Sequence, residues 1–209
     1  MPGGTPKSGG TTETATAAPE KRSTGIPSLD HVLAGGFLKG TSIVVFGSAT
    51  SGMELLAKQF WQQDGNGSYF ITDAEPLPGM IDARAVSLLE KFLELARGER
   101  IVVDSLSSVI LKNGIDTAIK FMSICSKDAE KRKSNYLFLL YRGVHPIVEE
   151  IRVLRAADMV VEFREMYEGI ENEHTLIVHK VKGMDLPTRA IPLLIKENGL
   201  EISTTSRVV

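Results

Sequence analysis

From Ser42 onward the chain alternates short β-branched or aromatic runs with amphipathic stretches, and this alternation constrains the fold more than any other feature. The runs at 42–46, 68–72, 100–104, 135–141 and 158–163 predict strands, bounded by glycine or polar residues. Between them, 52–63, 84–97, 114–129 and 146–156 read as helices. Over 84–97, Ala85, Leu88, Leu89, Phe92, Leu93 and Ala96 recur at helical spacings. Strand, helix and strand in succession make βαβ units, which call for a parallel sheet covered by helices. Three last runs, near 173–181, 189–196 and 199–203, follow one another too closely for helical crossovers and predict an antiparallel extension. The expected fold class is therefore α/β: three layers, a mostly parallel central sheet with helices on both faces, and an antiparallel C-terminal extension.

Composition narrows the chemistry. In 209 residues the first branched aliphatic is Ile26, and residues 1–23 are rich in Gly, Thr, Ser, Pro and Ala. Such a stretch buries too little apolar area to offset its ordering entropy, so 1–23 reads as a disordered low-complexity tail and 24–209 as a single domain. The lone Cys125 excludes an intramolecular disulfide, and His31, His145, His174 and His179 share no metal or catalytic spacing. With 24 Lys+Arg against 26 Asp+Glu, a net charge of −2 argues against a generally basic nucleic-acid or membrane-surface protein. No apolar run approaches the roughly eighteen residues of a membrane span, and the tail lacks the apolar core of a signal peptide. The expectation is a soluble, cytoplasmic protein.

The segment richest in chemistry is Phe46-Gly-Ser-Ala-Thr-Ser-Gly-Met-Glu-Leu55, a Gly-x4-Gly spacing between a predicted strand and a predicted helix. In a phosphate-binding loop, backbone amides and the helix N-terminus cradle phosphates. A Lys after the second glycine reaches the outer phosphates, and the next Ser or Thr holds magnesium. Met53 and Glu54 occupy those two positions here. Losing the Lys removes a charged hydrogen bond worth about 1.5–3 kcal/mol. A carboxylate about 4 Å from a phosphate adds roughly 4 kcal/mol of repulsion at an effective dielectric near 20. Ser51 and Glu54 also have the spacing of a capping box, which predicts a helix N-terminus satisfied by its own side chains.

Two flanking segments add weight to the loop. Upstream stands Ser23-Thr-Gly-Ile-Pro-Ser-Leu-Asp-His-Val-Leu-Ala-Gly-Gly-Phe-Leu-Lys-Gly40, and downstream Ile101-Val-Val-Asp104-Ser105 is an apolar strand ending in a carboxylate. This combination resembles the KaiC/RadA branch of the RecA-like P-loop ATPases. Leu154-Arg-Ala-Ala-Asp158, His179-Lys-Val-Lys-Gly183 and Ile195-Lys-Glu-Asn-Gly-Leu-Glu-Ile202 resemble later elements of the same branch, so the likeness runs from about 23 to 203. It implies a RecA-like domain in which Gly47, Ser48, Ala49, Thr50, Ser51, Gly52, Met53 and Glu54 form a degenerate Walker A loop. Asp104 then matches the Walker B carboxylate, a metal-related position, and Glu75 lies near a catalytic glutamate pair whose other member would fall at Ala74. Lys180 and Lys182 match a basic pair that reaches phosphates bound by a neighbouring subunit. Lys182 stands where an Arg is usual, which loses the bidentate fork.

An acidic residue at a strand end also commonly caps the following turn, and Ser105, Ser107 and Ser108 keep that reading open for Asp104. Asp73 and Glu75 equally read as polar residues at a strand end. The residues favour a pseudo-ATPase: a non-hydrolysing regulatory or assembly subunit, homo- or hetero-oligomeric with RecA-fold relatives, with ATP and Mg2+ bound weakly if at all. Two other readings compete with it. One is a slow magnesium-ATPase using Glu54 and Asp104. The other is a nucleic-acid-associated subunit resembling those of Elongator or of recombination mediators, which the negative charge disfavours.

Overall fold

In the computed structural model, which describes residues 19–86, 91–168, 171–182, 190–197 and 199–203, the strand Ser42–Gly47 is buried along its whole length. In chain order the elements are β1 (Lys21–Arg22), α1 (Pro27–Val32), β2 (Phe37–Leu38), β3 (Ser42–Gly47), α2 (Met53–Gln62), β4 (Gly67–Ile71) and β5 (Ile81–Asp82). There follow α3 (Phe92–Leu95), β6 (Arg100–Asp104), α4 (Leu106–Asn113), α5 (Ile115–Arg132), β7 (Asn135–Tyr141), α6 (Ile147–Ala156), β8 (Met159–Glu168), β9 (Glu171–Val181), β10 (Ile191–Lys196) and β11 (Gly199–Ile202). A nine-stranded sheet runs β11-β10-β9-β8-β3-β7-β6-β4-β5. Its β8-β3-β7-β6-β4-β5 part is parallel, and β9, β10 and β11 add antiparallel pairs beyond β8. The α/β architecture expected from the alternation is the one present.

Strand periodicity of two divides the core. Ile43, Val45, Tyr69, Val102, Leu137 and Val161 point to the face covered by α2 through Met53, Leu56, Ala57 and Phe60. Val44, Phe46, Phe70, Ile101, Val103 and Phe138 point to the other, against Leu106 and Val109 of α4 and Phe121, Met122 and Cys125 of α5. Both faces of the parallel strands are dry, which explains why their sequences are continuously apolar. Burial pushes the Cys125 thiol pKa up.

The entry segment closes on itself. The Asp30 carboxylate accepts from Ser23 Oγ at 2.5 Å, Thr24 N at 2.6 Å and Thr24 Oγ1 at 2.7 Å. Gly25, at φ +85°, brings this turn against α2 so closely that a Cβ would lie 2.4 Å from the Gln59 carbonyl oxygen. The Thr-Gly-Ile-Pro-Ser-Leu-Asp sequence is thus a packing device as well as a motif, with Ile26 and Leu29 in the core.

Several expectations need correction. The folded segment takes in residues before 24: β1 pairs with β2, and Arg22 is buried, while residues 1–18 lie outside the described residues. The predicted helix over 84–97 is not formed as such. Among the described residues of that span only Phe92–Leu95 is helical, residues 87–90 lie outside the described residues, and β5 precedes them as an extra edge strand. Among the described members of the predicted face, Phe92 and Ala96 are fully buried while Ala85 and Leu93 are exposed. The helix α4 was not predicted, because Ser107 and Ser108 interrupt its apolar pattern. The strand β8 runs five residues past its predicted end at 163. Among the described residues no helix is long and apolar enough to cross a membrane.

Arg22 ties the entry strand to the sheet. Its guanidinium donates to Asn135 Oδ1 at 2.5 Å and the Lys133 carbonyl at 3.0 Å, and meets Glu99 at 2.5 Å. Glu99 is half-exposed, so most of the value lies in the buried bonds. Arg22→Ala is expected to lower unfolding free energy by about 2–3 kcal/mol, read as a reduced urea midpoint.

Candidate functional site

The central place of β3 sets its end, Gly47, and the following loop at the carboxyl edge of the parallel strands, where open α/β sheets usually bind ligands. The chain turns left-handed at Gly52 (φ 86°), which serves as N-cap of α2, and no side chain caps that helix. The capping box expected from Ser51 and Glu54 is therefore absent. The left-handed turn makes Gly52 the N-cap, one residue beyond Ser51, so Ser51 no longer stands where its side chain would cap the helix. Ser51 Oγ instead donates to the Ser48 carbonyl at 2.7 Å. Glu54 turns to the sheet and accepts from the Tyr141 hydroxyl at 2.8 Å.

Met53 is fully buried and packs in the α2-side core. Ala49 is exposed at the loop tip. Two of the three loop hydroxyls have a common partner that the sequence did not suggest. Ser48 Oγ donates to Glu165 Oε2, and Thr50 Oγ1 donates to the same oxygen at 3.1 Å. Glu165 belongs to β8, two residues beyond Phe163, on the face shared with Val161 and Phe163. Hydrophobicity ends the predicted strand at Phe163, which leaves Glu165 unmarked in the sequence.

Asp104 closes β6 and is buried, accepting from the Tyr69 hydroxyl at 2.7 Å. Burial pushes its pKa up to about 6, the carboxylates of Asp73 and Glu54 add to the rise, and the Tyr69 hydrogen bond opposes it. Burial likewise drives the Tyr69 and Tyr141 phenols well above their ordinary range. The capping reading belongs to the next residue: Ser105 Oγ accepts from the Ser108 N–H at 3.2 Å and heads α4. Asp73 accepts from Ser105 Oγ at 2.9 Å and also from Ser108 Oγ.

Glu54, Lys58, Asp73, Glu75, Asp104 and Tyr141 line one cavity of about 250 Å³. Lys58 is the one basic side chain among its described lining residues, against four carboxylates. Glu75 stands at the exposed rim, paired with Arg84 at 2.5 Å, and Arg84 also holds Asp82 at 2.7 Å. Those hydrogen bonds hold the Asp82 carboxyl down to about 2. Among the described residues no group of three or more ligating side chains is disposed to hold a metal ion.

Lys180 and Lys182 lie elsewhere. Lys180 is opposite Val160 and donates to the Arg155 carbonyl at 2.9 Å and to the Ala157 carbonyl. Lys182 is 3.4 Å from Asp158, whose carboxylate also accepts from Ser42 N at 2.9 Å. Ser42 begins β3, so both lysines sit at the edge of the sheet opposite this chain's own loop. Gly183, the last residue of the Lys-Val-Lys-Gly sequence, lies outside the described residues.

No family model matches the chain, and no curated protein matches it. A solved structure does: a KaiC-like protein from the hyperthermophilic archaeon Pyrococcus horikoshii OT3, with a TM-score of 0.67 and 17% identity, over 89% of this chain and 100% of that one. The chain has a KaiC-like RecA fold. At that identity the likeness concerns the fold, and what this KaiC-like domain does rests on the side chains around its loop and cavity.

Asp104 offers a direct check of the cavity's electrostatics. With its folded pKa near 6, above the unfolded value of 3.8, its contribution to stability is full below 3.8 and is lost as pH rises through about 6. Asp104→Asn keeps an acceptor for Tyr69 and removes the charge. It is expected to stabilise the protein above pH 7 by up to about 3 kcal/mol and to flatten the loss between pH 4 and 6. Urea midpoints of both proteins at pH 4, 6 and 8 provide the comparison.

Proposed function

We propose that this protein is a non-hydrolysing RecA-fold subunit that works by assembly or regulation, with copies of itself or with RecA-fold relatives. The observation that carries this reading is Met53: the first residue of α2, where a phosphate loop needs its Lys, is a buried core side chain. The neighbouring donor set agrees. Glu54 brings a carboxylate to the first turn of the helix, the hydroxyls of Ser48 and Thr50 are spent on Glu165, and that of Ser51 on the Ser48 carbonyl. These residues do not fit a magnesium nucleotide held as in an active loop, because phosphoryl transfer depends on cationic stabilisation of the outer phosphates. Lys180 and Lys182, remote from their own loop, are the residues this reading assigns to contact with a neighbouring subunit.

A slow magnesium-ATPase is the second reading, supported by Glu54 and Asp104 lining one cavity. Phosphate release at saturating magnesium-ATP separates the two. Wild type and Asp104→Ala are expected to give equal, background rates, whereas a wild-type rate that Asp104→Ala abolishes establishes the enzyme. Light scattering after size exclusion addresses assembly. A mass above the 22.8 kDa of one chain, or a co-purifying relative, is expected. A monomer at every concentration with no companion removes the assembly reading.

A further inference from the structure

We propose that Glu165 is a built-in anion that holds the loop shut: the loop is a site for small oxyanions of the phosphate and pyrophosphate class, and the carboxylate from β8 occupies its donors. This deepens the proposed function and rests on reading the segment 47–54 as a phosphate-type loop.

Two independent features lead to it. The first is the convergence of the loop hydroxyls. Ser48 Oγ and Thr50 Oγ1, 3.2 Å apart, both donate to one oxygen, Glu165 Oε2, as they would to an oxyanion. Beside them, α2, a helix of ten residues, begins with no side-chain cap, and its positive dipole end lies there. A negative group is the partner this geometry favours.

The second feature is what Glu165 lacks. Its side chain is only 10% exposed, and Oε1 is buried without a hydrogen-bond partner among the described residues. Across the strand pair, in register, stands His174, whose Nδ1 is also buried and without a partner. The two atoms lie 3.9 Å apart, beyond hydrogen-bond distance. Outside the loop, no hydrogen bond from the described residues holds this carboxylate. A half-satisfied buried carboxylate is costly. Packing does not require one at this position either, because Val161 and Phe163 set an apolar face that another apolar residue would continue. The loop accounts for the carboxylate where the sheet does not.

The test uses inorganic pyrophosphate, which needs neither the lysine nor the hydrolytic apparatus of an ATPase. Calorimetric titration at constant ionic strength is expected to show no saturable binding to wild type. Glu165→Ala is expected to bind with a dissociation constant at least tenfold lower than any wild-type value. Glu165→Gln, which keeps the volume and removes the charge, is expected to fall between them. Adding Ser48→Ala and Thr50→Ala to Glu165→Ala is expected to abolish the gain, which places the anion at the loop. The proposal is overturned if wild type binds as tightly as Glu165→Ala, if neither binds, or if the gain survives loss of the hydroxyls. It is also overturned if Glu165→Ala and Glu165→Gln both fail to fold, since the carboxylate is then a structural strut. Hydrolysis of ATP by the wild type defeats the non-hydrolysing reading alone and leaves the pyrophosphate comparison standing.

Discussion

Parallel pairing of β3 with β7 on one side and β8 on the other is the constraint from which the rest of the molecule follows. Parallel neighbours need crossover connections, which lay helices on both faces of the sheet, so both faces of this strand are apolar. The helices α2 and α5 supply that cover, one on each face. Because parallel neighbours share a direction, their carboxyl ends gather at one edge. The loop after β3, Asp104 at the end of β6, Tyr141 at the end of β7 and Glu165 on β8 are brought together by topology, although 117 positions separate Ser48 from Glu165.

What the sequence discloses and what it conceals divide along the same line. The strands β3, β6 and β7 are legible to within a residue, because double-sided burial leaves uninterrupted runs such as Ile43-Val-Val-Phe46. The residues 84–97 mislead because helical spacing is a statement about one face, and among its described residues the structure fully buries Phe92 and Ala96 but exposes Ala85 and Leu93. The helix α4 escapes notice for the converse reason: Ser107 and Ser108 are buried by hydrogen bonding, to Tyr141 N and to Asp73, and no hydropathy pattern records that. The loop itself is legible as a Gly-x4-Gly spacing. Its partner Glu165 is not, since a polar residue past the end of an apolar run carries no mark of the strand pairing that delivers it.

The distribution of unsatisfied polar groups separates the two edges of the sheet. At the edge away from the loop, buried charge is bonded throughout: Asp158 takes Ser42 N, Ser42 Oγ and Ser126 Oγ, and Arg100 reaches Asp64, Ser23 O and Phe60 O. Ser134 Oγ is the exception there among the described residues. The loop edge holds the others: His145 Nε2 just after β7, and Glu165 Oε1 with His174 Nδ1 beside the loop. It also holds Asp104, whose pKa is raised to about 6 by its burial. Each of these raises the free energy of the folded state, and each would be relieved by an apolar or neutral residue of similar size. Local rules of stability that are kept at one edge and broken at the other mark the broken edge as the one shaped by something besides folding. Of these residues Asp104 is also the one that the loop motif's flanking strand picks out, and Glu165 is the one that touches the loop.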